Sequence, residues 1–293
     1  MQFQIQHRTI YHYSDPIRES VAELRLHPPD NQNQLVRRRC LKVCPEVTVD
    51  AFSDYFGNGV EFLSIPDSHP RLEVQMEAEV ETFPLASLAA YEDLRMGEAR
   101  QILRGQRLDL YDYLLPTRRV PLGPVLRPLG RSRLPGSAPL IESLLEMNQW
   151  VYQSFRYRPG ATEVSTPLEE IISGREGVCQ DFAHLLCSLL RTSGLPARYV
   201  SGYIEAADPD HPRAEDLLGS AATHAWVEVG LPGQRWLGLD PTNNQLAGER
   251  HVVLAVGRDY ADVAPVRGTF KGGLTQRLEV AVRMRRCGCS ATP

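Results

Sequence analysis

Cysteine is scarce in this chain: six among 293 residues, at positions 40, 44, 179, 187, 287 and 289. That spacing is no secreted disulfide framework, and a reducing, cytoplasmic setting is the default expectation. No two cysteines have the two-residue separation of a zinc knuckle, and Cys287 and Cys289 stand too close for one. Cys40 and Cys44 are near enough in sequence to pair, and Cys187 reads as buried. Long apolar runs are also missing. The longest, Leu185 to Leu190, contains Ser188 and falls far short of the ~20 residues of a membrane span. Met1-Gln-Phe-Gln-Ile-Gln-His7 shows no basic-then-apolar leader, so no signal peptide is expected. Charge of one sign is not in excess. Lysine and arginine number 32, aspartate and glutamate 36, and the net charge is −4. A globally basic nucleic-acid binder is thereby excluded.

What is present is the composition of a folded protein, 42% hydrophobic and 23% charged. The length suggests two domains of ~150 residues each. Period-two alternation predicts strands over 2–13, 20–26, 37–43, 47–52, 59–65 and 72–82, with a turn at Asp54 to Gly59. In the last of these, Leu72, Val74, Met76, Ala78 and Val80 alternate with Glu73, Gln75, Glu77, Glu79 and Glu81, so an acidic face is expected to meet water. Residues 1–85 therefore read as an antiparallel β domain of sandwich type. Residues 86–137, rich in proline and arginine, read as a connector with one or two short helices, its arginines as solvated charge. Residues 138–293 form the remaining unit. Its helices are expected over 140–155, from Pro167 (with Thr166 as N-cap) to Gly174, and over 178–193. Strands follow at 198–204, 225–229 and 235–239, and a last one at 277–284.

Three local patterns carry chemistry. Gly174-Arg-Glu-Gly177-Val-Cys179-Gln180-Asp181 delivers a cysteine to the first turn of a helix. There, unpaired N–H groups and the positive dipole end favour a thiolate, and the same groups can bind an oxyanion. Thr223-His224-Ala-Trp226 places a histidine at a strand start, where it can act as the base such a thiolate needs. Trp236-Leu-Gly-Leu-Asp240-Pro241 ends the next strand on a carboxylate. If the two strands are hairpin neighbours, Asp240 can hold the imidazole of His224. Each pattern has a plainer reading: a buried cysteine, a structural histidine, an Asp-Pro turn. Around them, Gln180 is a candidate for oxyanion or substrate binding through its backbone N–H, and Trp226 is a candidate pocket wall or core residue. Asp181 reads as a helix-dipole partner or a binder of a substrate amine. His184 reads as structural, and Tyr157 and Tyr203 as core. Cys179, His184, His224 and Asp240 include zinc-type donors, but no close pair has ligand spacing, so no metal is expected.

These stretches, with Gly194-Leu-Pro196-Ala-Arg198-Tyr-Val200-Ser-Gly202-Tyr203, Asp240-Pro-Thr-Asn243 and Gly257-Arg-Asp-Tyr-Ala-Asp-Val263, resemble the bacterial transglutaminase-like superfamily, in the branch often labelled cysteine proteases. The resemblance extends to the β-rich N-terminal region and covers nearly the whole chain. It implies an α+β fold with a papain-like core, Cys179 as nucleophile, His224 as base and Asp240 as orienting acid. It also implies acyl transfer or hydrolysis at a peptide or protein amide through a thioester, without metal or organic cofactor. The papain signature around the cysteine is absent, and so is room for the further β domains of the large calcium-dependent transglutaminases. A scaffold that keeps this fold and binds a peptide or partner without turnover is the rival reading. Neither nucleic acid nor a membrane is an expected partner, and oligomeric state is not legible.

Overall fold

The computed structural model describes residues 1–106, 108–205, 217–220, 222–273 and 275–287; Cys289 lies outside them. The first sheet is built from β1 (Gln2–His27), β2 (Gln34–Cys44), β3 (Val49–Ser53), β4 (Gly59–Ile65) and β5 (His69–Thr82). Helices α1 (Met96–Gly105), α2 (Leu126–Arg133) and α3 (Leu140–Ser154) follow. Then come β6 (Arg156–Tyr157), α4 (Leu168–Gly174), β7 (Glu176–Gly177) and α5 (Cys179–Thr192). The second sheet contains β8 (Ala197–Ile204), β9 (His224–Leu231), β10 (Arg235–Asp240), β11 (Gln245–Leu246) and β12 (His251–Gly257). The chain continues with α6 (Tyr260–Val263), β13 (Val266–Lys271) and β14 (Gln276–Arg286).

One strand organises the first sheet. β1 is continuous where the alternation predicts two strands, and it serves two antiparallel ladders. Residues 2–12 pair with β5 and β14, and residues 18–27 with β4 and β13. The register breaks between His12 and Ile17. Pro16 sits in that break, where its missing N–H costs no ladder bond. Glu19, at φ +48°, lies in a second irregularity, between Arg18 and Val21. The strand predicted at 277–284 is β14, and its ladder is with β1, so the end of the chain completes the first sheet. The apolar face of β5 is buried as its pattern predicts. Its acidic face differs from expectation at Glu73, which is only 4% exposed. Arg8 Nε and Arg71 Nη2 each lie 2.7 Å from its carboxylate, replacing water with two guanidinium groups.

The second sheet has the order β11-β10-β9-β8-β12, with β9 at its centre. Helix α5 packs on β9 and β8. Every residue of it but Gln180 is buried, its polar side chains included. Helix α4 begins one residue later than predicted. Pro167, with ψ 147°, is its N-cap, and Thr166 Oγ1 instead accepts from Glu163 N at 3.0 Å.

The two sheets meet along β12, whose outer edge faces the first sheet. Side-chain amides stand in for a neighbouring strand there. Gln34 Nε2 donates to Val253 O at 2.9 Å and its Oε1 accepts from Val253 N at 2.7 Å. Asn58 does the same for Val256, with both contacts at 2.8 Å. Tyr203, Val252 and Leu254 share one apolar cluster with Phe3, Ile5 and Leu63. These amides satisfy backbone groups that an unpaired edge would leave bare. Replacing Gln34 and Asn58 together by alanine is expected to destabilise the protein by about 1–3 kcal/mol per site. Hydrogen exchange at the Val253 and Val256 amides should accelerate. Unchanged protection at both would show that the amides are incidental.

Candidate active site

Cys179 opens α5. Val178, extended at φ −117° and ψ 178°, precedes it as N-cap. The first intrahelical donors, Asp181 N and Phe182 N, both bond Val178 O. The N–H groups of Cys179 and Gln180 therefore stand before the helix ladder begins. Asp181 closes the turn from the third helical position: its Oδ2 accepts from Val178 N at 2.8 Å and Thr162 Oγ1 at 2.6 Å. Gly177 is required beneath it, because a Cβ there would come within 2.8 Å of that oxygen. Burial raises the Asp181 pKa, and these two hydrogen bonds oppose the rise. Its carboxylate is thus occupied as a cap.

His224 starts the central strand and Asp240 ends the adjacent one, so the hairpin brings them together. His224 Nε2 lies 2.9 Å from Asp240 Oδ2, and both side chains are fully buried. An ionised carboxylate accepts only, so Nε2 carries the proton. Burial acts to lower the His224 pKa, but the Asp240 charge and hydrogen bond, aided by Cys179, raise it overall. Burial acts to raise that of Asp240, and His224 with the remaining donors holds it far below the usual carboxylate range. Nδ1 faces away from Asp240 and makes no hydrogen bond. Cys179 is near enough to the ring to help keep it protonated by hydrogen bonding and charge, although no partner meets strict hydrogen-bond geometry at Nδ1. Such contacts often tighten only when substrate is bound. The turn at Gly219 (φ +91°) runs across this nitrogen, and a Cβ there would approach Nδ1 to 2.8 Å.

The Asp240 carboxylate has further partners that the sequence patterns did not reveal. His251 Nε2 lies 3.1 Å from the same Oδ2. Its Nδ1 accepts from Gly248 N at 3.4 Å, so the ring donates from Nε2. Burial lowers the His251 pKa, which keeps it neutral at physiological pH. Oδ1 accepts from Thr242 N at 2.9 Å and Asn243 N at 3.2 Å, and Oδ2 also accepts from Asn243 Nδ2 at 2.8 Å. Asn243 Oδ1 in turn accepts from Leu218 N, tying the Gly219 turn to the site. No motif marks His251, and no strand was expected where β12 lies; the apolar run Val252 to Val256 that follows it is the one signal that could have placed it.

Trp226 is 1% exposed. Its ring stacks on His224 at 6.2 Å and meets His251 edge-on at 5.2 Å. Gly202 on the intervening strand leaves the space, since a Cβ there would lie 2.3 Å from the indole. Trp226 thus supports the two imidazoles from below. The Gln180 side chain is half-buried and makes no hydrogen bond among the described residues. Tyr157 is half-buried beside Cys179, and burial followed by that neighbour raises its pKa. His184 stacks on Tyr199 at 4.8 Å, and its Nε2 accepts from Tyr260 N. Burial and nearby arginines lower its pKa to about 3, fitting the structural role expected for it. Cys187 is buried, while Cys40 and Cys44 both lie on β2 and are unpaired. His224, Asp240 and His251 form the one cluster among the described residues whose donor atoms approach as metal ligands would. Both imidazoles direct N–H groups at the carboxylate, which occupies those nitrogens.

Residues 131–241 match the transglutaminase-like superfamily, and residues 3–81 match the bacterial transglutaminase-like N-terminal region. An uncharacterized protein of Mycobacterium tuberculosis is 34% identical over 279 residues, covering 91% of this chain and 86% of that one. An uncharacterized protein of Mycobacterium leprae is 31% identical over 96% of this chain and 97% of its own length. A protein-glutamine gamma-glutamyltransferase of Pseudomonas aeruginosa is 34% identical over 134 residues, 43% of this chain and 20% of that protein. In fold, the chain resembles a solved candidate cysteine protease from Cytophaga hutchinsonii, with a TM-score of 0.70, 24% identity, and coverage of 96% and 90%.

Removing the Asp240 carboxylate leaves two buried imidazoles and three further donors unpaired. Asp240→Ala is expected to destabilise the protein by about 3–5 kcal/mol, read from urea denaturation. A loss under about 1 kcal/mol would mean that this carboxylate does not hold the region together.

Proposed function

The chain belongs to the transglutaminase-like superfamily, and from that premise we propose a cysteine-dependent acyl-transfer enzyme acting on a peptide or side-chain amide. The observation that carries this reading is the fully buried Asp240–His224 pair, 2.9 Å apart, whose second ring nitrogen is left unbonded beside the N-terminus of α5. In the proposed cycle Cys179 Sγ attacks the amide carbonyl carbon. Its proton resides on His224. The carbonyl oxygen takes up negative charge as the C–S bond forms, facing the free N–H groups of Cys179 and Gln180. His224 then gives its proton to the leaving amine or ammonia as the C–N bond breaks, which leaves a thioester. Water or a primary amine attacks the thioester next, His224 accepts its proton, and the C–S bond breaks to restore the thiolate beside the protonated imidazole. Asp240 keeps the imidazole oriented and offsets its charge throughout. His251 and Asn243 hold Asp240 in place, and Trp226 fixes the plane of the rings.

The test is turnover of glutamine-containing peptides, with ammonia release read against incorporation of a primary amine. Ammonia with incorporation identifies a transamidase, and ammonia alone identifies an amidase. Peptide-bond cleavage on the same panel identifies a peptidase. Cys179→Ala should abolish every signal. Turnover that survives in Cys179→Ala, or a wild-type protein inert toward the whole panel, would contradict the reading.

His251 touches Asp240 and not the thiol, so its loss should act on the chemical step. His251→Ala is expected to lower kcat about 10–100-fold through a misplaced imidazole, with KM little changed. The pH dependence should move as well. Protonation of wild-type His251 puts a proton on Nδ1 facing Gly248 N–H, so acid disrupts this support. The acidic limb of the rate profile should therefore flatten in the variant. An unchanged kcat would show that His251 only packs.

A further inference from the structure

Four arginines of the proline-rich connector converge on one place, although Arg104, Arg127 and Arg131 are exposed as solvated charge would be. Arg100 and Arg104 stand one turn apart on α1, and Arg127 and Arg131 one turn apart on α2. Together with Arg191 near the end of α5 they line one cavity of about 600 Å³, and no acidic residue lines it with them. Among the described residues, Arg104, Arg127 and Arg131 make no hydrogen bond or ion pair. Arg100 Nη2 donates to Leu134 O at 2.7 Å, while its buried Nε has no partner. Arg191 is 3% exposed and is fixed by the carbonyls of Leu115, Ala197 and Arg258. Burial, then the charges of Arg104 and Arg131, lower the Arg100 pKa, so the groups repel one another as they stand.

Like charges one helical turn apart disfavour a helix, and here two such pairs face each other. The C-terminal end of α5 does not account for them. A helix dipole offers about half a negative charge, against five guanidinium groups. Its last carbonyls are also already engaged: Leu189 O by Thr192 Oγ1 and Ser193 Oγ, Leu190 O by Leu195 N, and Arg191 O by Gly194 N. Such a lining is complementary to an anion. Guanidinium forks match phosphate oxygens two at a time, and the volume is that of a small-molecule site, typically ~300–1,000 Å³. A single phosphate would neutralise less than half of the charge.

We infer that this cavity binds a small polyanion carrying two or more phosphate groups. The site is separate from Cys179, which opens the same helix at its other end, and the inference stands without the proposed acyl transfer.

The probe is inorganic tripolyphosphate, titrated by calorimetry into the full-length protein at about 50 mM salt, where screening is weak. Saturable binding near one equivalent is expected. Arg104→Gln/Arg131→Gln should weaken it at least about tenfold, since both side chains are exposed and bond nothing in the fold. Arg283→Gln/Arg285→Gln on β14 makes the same charge change elsewhere and should leave it intact. ATP binding more tightly than tripolyphosphate would identify a nucleotide as ligand, and equal binding would identify the phosphate chain alone. Either result supports the site. It is overturned if no saturable binding appears, if the α1/α2 variant binds as wild type or the β14 variant loses as much, or if citrate binds as tightly as tripolyphosphate.

Discussion

The arrangement around the site rests on a single carboxylate removed from water. Asp240 is 0% exposed, and burying an ion in this way costs several kcal/mol unless its lone pairs are met. Five donors meet them, three on Oδ2 and two on Oδ1. These donors come from the start of β9, the turn that follows Pro241, and the start of β12. Bringing them to one point fixes where each of those segments runs. The same charge sets the state of His224, because its imidazolium is stable in the interior only beside a counter-ion.

The first sheet is joined to this construction through β12. Gln34 and Asn58 complete the hydrogen bonding of its outer edge, and Thr82 Oγ1 donates to Glu249 O just before it. His251 is the first residue of that strand. The N-terminal sheet thus holds the segment that carries the second imidazole on Asp240. On the other side, α5 is sealed in the core along its whole length. Its buried flank anchors Cys179 at its first turn.

Much of the site was legible because its residues sit at element ends with local signals. A glycine turn before Cys179, a strand start at His224 and an Asp-Pro stop at Asp240 are all readable one segment at a time. The hairpin through Pro232-Gly233 then makes the pairing of His224 with Asp240 a near-neighbour event. His251 was not legible, because it reaches Asp240 by tertiary packing from a strand two places away in the sheet from the one that carries His224. Glu73 looked solvated because alternation tells which face a residue is on and not what covers that face. Arg8 and Arg71 cover it. The continuous β1 was hidden by Pro16, which usually ends a strand and here marks its change of partners. The connector arginines read as solvated charge, and Arg104, Arg127 and Arg131 are exposed. Their shared cavity depends on how α1 and α2 pack at the end of α5, and composition carries no trace of that.

The claim on which the rest depends is that His224, held by Asp240, makes Cys179 reactive. The direct measurement is the rate of Cys179 alkylation by iodoacetamide as a function of pH, followed by mass spectrometry in the wild-type protein and in His224→Ala. An activated site predicts rapid modification of wild-type Cys179 well below the free-cysteine pKa of ~8.5. In the variant, the profile should shift to that of an ordinary thiol. Identical profiles in the two proteins, whether both slow or both fast, would contradict the account.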